Sequence, residues 1–276
     1  MQKVTELITS RQNPLVSLAA GLAERKVRRR EGMFRFDGKK LFREALVAEL
    51  PLYAVLLREE NADEILDFVR DLSLPSGVRA VLLPGALFDR ISEEKAPEGV
   101  ICISKTLDKI HKIVTIDKCA PEKDVLPAGK TLLLESVRDP GNLGTIIRSA
   151  KAFGVKNLVL SSDCADLYNP RTIRAAMGTL FTQNVYMTED LIGVIHALRS
   201  RGCVYAAALR EDAVRLGQIT FGENDAALVG NEGHGLSDEA LAACTDTLYI
   251  PMAAGVESLN AGIAASVILW ELYRGQ

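Results

Sequence analysis

The sequence predicts an α/β protein in two parts: a small α/β domain, then a larger, mostly parallel sheet with helices on both faces. Three observations carry that prediction. Short apolar runs recur along the 276 residues and alternate with amphipathic stretches, the pattern of βα units. In the second half, runs such as Leu132-Leu133-Leu134 and Ala226-Ala227-Leu228-Val229 are apolar at successive positions, as strands are when both sheet faces are covered. Three of these later runs open into polar, glycine-bearing loops, where backbone can approach a ligand because Gly has no Cβ.

Residues 11–30 read as helical, with Leu15, Leu18, Leu22 and Val27 among polar residues and breaks at Gly32 and Gly38. A strand follows at 33–36, then a helix over 38–49, a strand at 52–57, a helix over 62–72, a strand at 79–83, a short helix from Pro84 and a strand at 99–104. Residues 1–104 therefore form the first domain. Residues 105–130 mix Lys, Pro and Gly with broken apolar patterning and read as a linker region, with 110–116 either a covering element or an extra strand. The second domain, 131–276, starts with a strand at 131–137 and a helix over 143–153 that Gly154 stops. Strands at 158–161, 185–186, 204–209, 226–229 and 247–250 then alternate with helices over 170–177, 190–201, 237–243 and 258–273.

Composition excludes several classes. Hydrophobic residues make up 48% of the chain, enough for a sizeable core, yet no apolar run has the length of a membrane span. The N-terminus lacks a signal-peptide apolar stretch. Cys102, Cys119, Cys164, Cys203 and Cys244 form no paired spacing, and His111, His196 and His234 give no metal-ligand spacing. We expect reduced thiols, no metal and a cytoplasmic protein. The net charge of -3 is unevenly spread. Arg25, Lys26, Arg28, Arg29, Arg30, Arg35, Lys39, Lys40 and Arg43 crowd one segment, while residues 211–246 are strongly acidic. Such a basic run either tracks a phosphate backbone or is a solvated helix face.

The three loops are the candidate site. Asp139-Pro140-Gly141-Asn142 is turn chemistry leading into a helix, on which Asn142 and Arg148 do not share a face. Gly230-Asn231-Glu232-Gly233-His234-Gly235 has the spacing GxxGxG, not the GxGxxG dinucleotide fingerprint, and there is no phosphate-loop lysine. Glu232 would repel a pyrophosphate, so the loop suits an uncharged or cationic ligand. Ser237 reads as a helix N-cap and His234 as a loop surface residue. Ile250-Pro251-Met252 runs through small residues into Glu257-Ser258-Leu259-Asn260 and a long, almost uncharged helix. Loops at the ends of parallel strands point to one shared crevice.

Together, the segments 141–148, 229–237 and 250–252 with 258–260 resemble the three motifs of the SpoU, or TrmH-like, RNA 2′-O-ribose methyltransferases of the SPOUT class. The resemblance spans residue 131 to the C-terminus. Ser10-Arg11-Gln12-Asn13-Pro14 and Phe36-Asp37-Gly38-Lys39-Lys40 are similar to the family's RNA-substrate-binding domain. The chain departs from many relatives at Ala261-Gly262-Ile263, which weakens any transfer of RNA specificity.

The resemblance implies a C-terminal trefoil knot, a homodimer and S-adenosylmethionine as cofactor. It implies cofactor contacts at Gly230, Ile250 and Leu259, with Asn231, Gly235 and Met252 beside them. It places Arg148 at the centre of catalysis, as a base or as an electrostatic clamp, with Asn142 and Asn260 orienting the ribose or Arg148, Ser258 hydrogen-bonding one of the two, and Glu232 ordering the site. RNA contacts are expected from Arg28, Arg29, Arg30, Lys39, Lys40 and Arg174, with ribosomal RNA the expected substrate and neither DNA nor a membrane as partner. A tRNA methyltransferase, a non-catalytic RNA-binding or ribosome-assembly factor on the same fold, and a nucleotide-dependent oxidoreductase remain as alternatives. The missing dinucleotide fingerprint counts against the last.

Overall fold

The computed structural model describes residues 4–110, 113–116, 126–256 and 258–274; His111, Cys119 and Glu257 lie outside them. Two compact units result, one of Met1–Ile110 with Tyr168–Thr182, the other of His111–Leu167 with Gln183–Gln276. The division is not a single cut in the chain. Residues 168–182, read above as part of the second domain, pack with the first unit. Aromatic contacts explain this: Phe34 lies 4.8 Å from Tyr168 and Phe36 lies 5.2 Å from Phe181, centroid to centroid. The Tyr168 hydroxyl also accepts from the Leu107 amide at 2.7 Å.

In the first unit, the helix read over 11–30 is two helices, α1 (Pro14–Gly21) and α2 (Arg25–Glu31). Asn13 caps α1 by accepting from Leu15 N at 2.9 Å, and Pro14 starts it without wasting an amide. The Arg28 guanidinium turns back onto the carbonyls of Leu22 (2.8 Å) and Ala23 (2.5 Å), across the break between the helices. Gly32 ends α2 in the left-handed conformation at φ 60°.

Next come β1 (Met33–Asp37), α3 (Lys39–Val47), β2 (Leu52–Arg58), α4 (Ala62–Phe68), β3 (Arg79–Leu83), α5 (Gly85–Ile91) and β4 (Val100–Lys105). The strands form one sheet in the order β1-β4-β2-β3. Strand β1 buries Phe34, Arg35 and Phe36 in succession, so both of its faces are covered. Arg35 is tolerated there because every side of its guanidinium is answered. It forms an ion pair with Asp37 at 2.6 Å and donates to the carbonyls of Ala19 and Ile91 at 3.1 and 2.6 Å. Helix α7 (Pro170–Ala176) also belongs to this unit.

The second unit is an eight-stranded sheet in the order β10-β12-β9-β11-β6-β7-β8-β5. Its strands are β5 (Ile113–Ile116), β6 (Thr131–Leu134), β7 (Asn157–Ser161), β8 (Asn184–Thr188), β9 (Val204–Ala207), β10 (Val214–Arg215), β11 (Ala226–Val229) and β12 (Asp246–Tyr249). Every pairing in it is parallel. Strand β5 lies in the segment read as linker and pairs with β8 at the sheet edge, so the extra-strand reading of that segment holds. The two-residue β10 escaped the sequence reading. Central strands β6 and β11 are buried at every position, which is why their sequences are continuously apolar.

Helices α6 (Pro140–Ala152), α8 (Leu191–Arg199), α9 (Asp238–Ala243) and α10 (Ala261–Arg274) complete the unit. Asp139 caps α6 by accepting from Asn142 N at 2.8 Å, and Ile146, Ile147 and Ala150 are its fully buried face. Each buried isoleucine contributes about 1.5–3 kcal/mol. Gly262 lets α10 approach α6: a Cβ there would lie 3.4 Å from Asn142 Cα. From β6 the chain moves to β7 on one side, and later returns to β11 on the other. Beyond the carboxyl ends of β9, β11 and β12 lies a crevice. Among the described residues no helix is long and apolar enough to cross a membrane, and Cys102, Cys164, Cys203 and Cys244 are free thiols.

Candidate active site

Parallel strands deliver the three polar loops to one edge of the sheet. The second loop follows β11 and closes on itself: Asn231 N donates to Gly235 O at 2.9 Å and Gly235 N to Asn231 O at 3.0 Å. Gly230 is required by this closure, because a Cβ there would sit 2.5 Å from the Gly235 carbonyl. The Asn231 side chain accepts from Gly233 N (2.8 Å) and His234 N (3.1 Å) and donates to Ser136 O (2.7 Å). Its polar atoms therefore build the loop and tie it to the end of β6. The residue also lines the crevice, where a cofactor contact at Asn231 is expected.

Glu232 is the hub of the site. Its carboxylate accepts from Asn142 Nδ2 at 2.9 Å, and from the amides of Asp139 and Arg138 at 3.3 and 3.4 Å. Asn142 Oδ1 in turn accepts from Asn260 Nδ2 at 2.9 Å. Partial burial pushes the Glu232 carboxyl up, but the Asn142 amide and the backbone donors outweigh it, so the group lies below its ordinary value. It is therefore ionised at neutral pH, which fixes the Asn142 amide with its oxygen toward Asn260.

Asn260 also caps α10, accepting from Ile263 N at 3.2 Å. Ser258 is exposed and lines the crevice. Among the described residues it makes no hydrogen bond to Asn142 or Asn260, which corrects that expectation: the two asparagines bond each other directly. Arg148, two turns along α6 from Asn142, is exposed and has no hydrogen bond or ion pair among the described residues. Ser237 caps α9 as read, accepting from Ala240 N at 3.2 Å, and its hydroxyl donates to Glu135 at 2.6 Å.

Beside this relay lies a cavity of about 410 Å³, within the range of small-molecule sites. Gly230, Asn231, Glu232, Gly233 and Gly235 form one wall, and Ile250, Met252, Ser258 and Leu259 another. Ala207, Ala208 and Leu209, at the end of β9, complete it and were not singled out from sequence. Their only signal was position, since they follow a strand that lies between β11 and β12. Among the described residues the lining carries one carboxylate, Glu232, and no lysine or arginine. Its chemistry suits an apolar, hydrogen-bonding or cationic ligand and disfavours a phosphate-bearing one. S-adenosylmethionine, with an adenine ring and a sulfonium cation, fits that donor set; a dinucleotide does not.

The expected RNA contacts in the first unit divide sharply. Arg28 is only 4% exposed and spends its guanidinium on the Leu22 and Ala23 carbonyls between α1 and α2, so it is a structural residue and not an RNA contact. Arg30 pairs with Glu31 at 2.8 Å, Lys39 with Glu64 at 3.0 Å and Arg174 with Glu94 at 3.8 Å. Arg29 and Lys40 are exposed, as is Lys26.

Residues 129–270 match the family model described as the SpoU rRNA Methylase family. The chain belongs to that family. Membership makes it an RNA methyltransferase, in line with the sequence reading. Residues 13–102 match an MRM3-like substrate binding domain. A 23S rRNA (guanosine(2553)-2′-O)-methyltransferase from Bacillus subtilis is 31% identical over 96% of this chain and 98% of that protein. A 23S rRNA (uridine(2479)-2′-O)-methyltransferase from Streptomyces viridochromogenes is 28% identical over 97% of this chain and 91% of that one. Among solved structures, an AdoMet-bound rRNA methyltransferase from Sinorhizobium meliloti matches with TM-score 0.78 at 26% identity, covering 98% of this chain and 97% of that one. The Streptomyces viridochromogenes SpoU methyltransferase AviRb, in complex with AdoMet, matches with TM-score 0.76 at 25% identity, over 95% and 98% of the two chains.

Proposed function

We propose that this protein methylates a ribose 2′-hydroxyl of ribosomal RNA, using S-adenosylmethionine held in the crevice beyond β9, β11 and β12. The observation that carries the reading is the Glu232–Asn142–Asn260 relay, which joins all three motif segments beside a cavity that no lysine or arginine lines among the described residues. The ribosomal RNA activities of the Bacillus and Streptomyces relatives support ribosomal RNA over tRNA. A non-catalytic factor would have no use for a buttressed carboxylate beside such a cavity.

When bound, S-adenosylmethionine supplies an electrophilic methyl group on a sulfonium. Ile250, Met252 and Leu259 provide apolar walls, and the backbone of 230–235 provides polar edges. Asn142 and Asn260, held by Glu232, orient the ribose. Arg148 remains protonated, as a guanidinium does in proteins. It clamps the phosphate next to the target ribose and stabilises negative charge on the 2′-oxygen, which is electrostatic catalysis. Lys26, Arg29 and Lys40 add salt-sensitive contacts to the RNA backbone. We extend the reading to the family's knotted C-terminal chain path and to a homodimer. The apolar face formed by Trp270 and Tyr273, both nearly half exposed on α10 beside Phe153, supports a second copy of this chain. A cytoplasmic location agrees with the free thiols.

The test is methyl transfer to ribosomal RNA by the full chain. Arg148→Ala is expected to lower kcat by about 10²–10³-fold, as loss of a charge-stabilising donor does, while calorimetry gives unchanged S-adenosylmethionine affinity. A near-wild-type rate would remove Arg148 from catalysis.

A further inference from the structure

We propose that Asp163 is a positioning residue for methyl transfer: it locks the turn 136–139, whose backbone holds the second motif loop in place. The inference rests on the methyltransferase reading of the crevice. Asp163 lies outside all three motif segments, in the turn after β7.

Ser136 is a non-glycine residue in the left-handed region, at φ 55°. A side-chain-bearing residue stays there only when its surroundings hold it. Asp163 does so from two directions. Its Oδ2 accepts from the Ser136 hydroxyl, and its Oδ1 accepts from the Ser161 hydroxyl at 2.6 Å. Ser161 Oγ in turn accepts from Ser136 N at 2.8 Å. Arg138 Nη2 donates to Asp163 Oδ2 at 3.2 Å, and Ala165 N donates to Val137 O at 2.8 Å. One carboxylate thus gathers Ser136, Ser161 and Arg138. Burial pushes the Asp163 carboxyl up, but the Ser136, Ser161 and Arg138 donors outweigh it and leave it below its ordinary value.

The locked turn is what the second loop leans on. Ser136 O accepts from Asn231 Nδ2, and the amides of Arg138 and Asp139 donate to Glu232. Releasing the turn would therefore loosen Asn231 and Glu232 together, and with them the Asn142–Asn260 pair. Among the described residues the hydrogen bonds of the Asp163 carboxylate go to Ser136, Ser161 and Arg138, none of which lines the cavity, so its effect passes through backbone geometry.

The experiment compares the wild-type full chain with Asp163→Ala, Asp163→Asn and the double variant Asp163→Ala with Ser136→Gly. In ligand-free protein, the Glu232 carboxyl is titrated by NMR on glutamate-labelled samples, with Glu232→Gln assigning its signal. Asp163→Ala is expected to raise Glu232 toward the ordinary carboxylate value, and adding Ser136→Gly to bring it back, because glycine adopts the left-handed conformation unaided. In steady-state methyl transfer, Asp163→Ala is expected to lower kcat by about tenfold or more, as misplaced reacting groups do. The KM for RNA stays unchanged and the double variant recovers part of the rate. Asp163→Asn keeps the shape but replaces one acceptor oxygen by a donor. It is expected to lose rate as well, and it serves if the alanine variant does not fold. A folded Asp163 variant with wild-type kcat, a loss that Ser136→Gly does not relieve, or an unmoved Glu232 titration would each overturn the proposal. If the wild type itself transfers no methyl to RNA, the functional reading fails, and the Glu232 titration still decides the positioning claim.

Discussion

At the crevice of the second unit the polar side chains hold one another, whereas the basic side chains between Arg25 and Arg43 in the first unit are held one at a time by different parts of the fold. Asn142, in the first turn of α6, lies 90 residues from Glu232 and 118 from Asn260 along the chain, yet the three form a single relay. In the basic segment, Arg28 and Arg35 are buried against backbone carbonyls, Lys39 and Arg43 pair with Glu64 and Asp71, and Lys26, Arg29 and Lys40 are exposed. The lesson is about coupling. Members of a shared network should lose function together when one is changed, whereas independent surface cations should act additively and fade with salt.

The sharpest way to break this contrast is Arg35→Ala. If Arg35 is part of the frame of the first unit, its loss leaves Asp37 buried without a counter-charge, with only the Ser92 hydroxyl still donating to it among the described residues, and costs about 3–5 kcal/mol. Urea denaturation of the full chain should show that loss, while calorimetry gives unchanged S-adenosylmethionine affinity. A stable variant with weakened RNA binding would instead make Arg35 a surface contact in solution. Gly230→Ala probes the other side of the comparison. Its Cβ meets the Gly235 carbonyl, and overpacking of this kind costs about 1–3 kcal/mol. Because the Asn231–Gly235 hydrogen bonds tie the loop into one closed turn, that cost should appear as a cofactor affinity weakened about tenfold or more. Unchanged affinity would mean that the loop relaxes independently of the crevice. The smallest effect belongs to the surface. Reversing the charges of Lys26 and Arg29 should weaken RNA binding modestly and reduce the salt slope by about one for each phosphate that is no longer neutralised. Unchanged affinity and slope would remove α2 from the RNA-binding face.

Much of the second unit was legible because its strands are buried on both faces and therefore read as apolar runs, and because each functional loop follows such a run. That logic brought residues 142, 232 and 260 to one crevice. It could not say which side chains bond which, because hydrogen bonds between loops depend on sheet order. For the same reason it gave Ser258 a bond that Asn260 makes, and passed over Ala207–Leu209, which carry no polar signal. In the first unit the charge run was legible and the fate of its members was not. Phe34, Arg35 and Phe36 are buried in succession, so strand alternation gives no warning that the middle residue points into protein. Arg28 was hidden by the break between α1 and α2, which the helical period carried straight across. The segment 168–182 joins the first unit through Tyr168 and Phe181, a long-range pairing of aromatics that no local pattern announces.

The most direct test is site-resolved mapping of ribose methylation in RNA from cells that carry this protein, lack it, or carry only its Arg148→Ala form. A 2′-O-methyl group on a ribosomal RNA nucleotide is predicted to be present in the first and absent from the other two. An identical methylation map in all three would contradict the account.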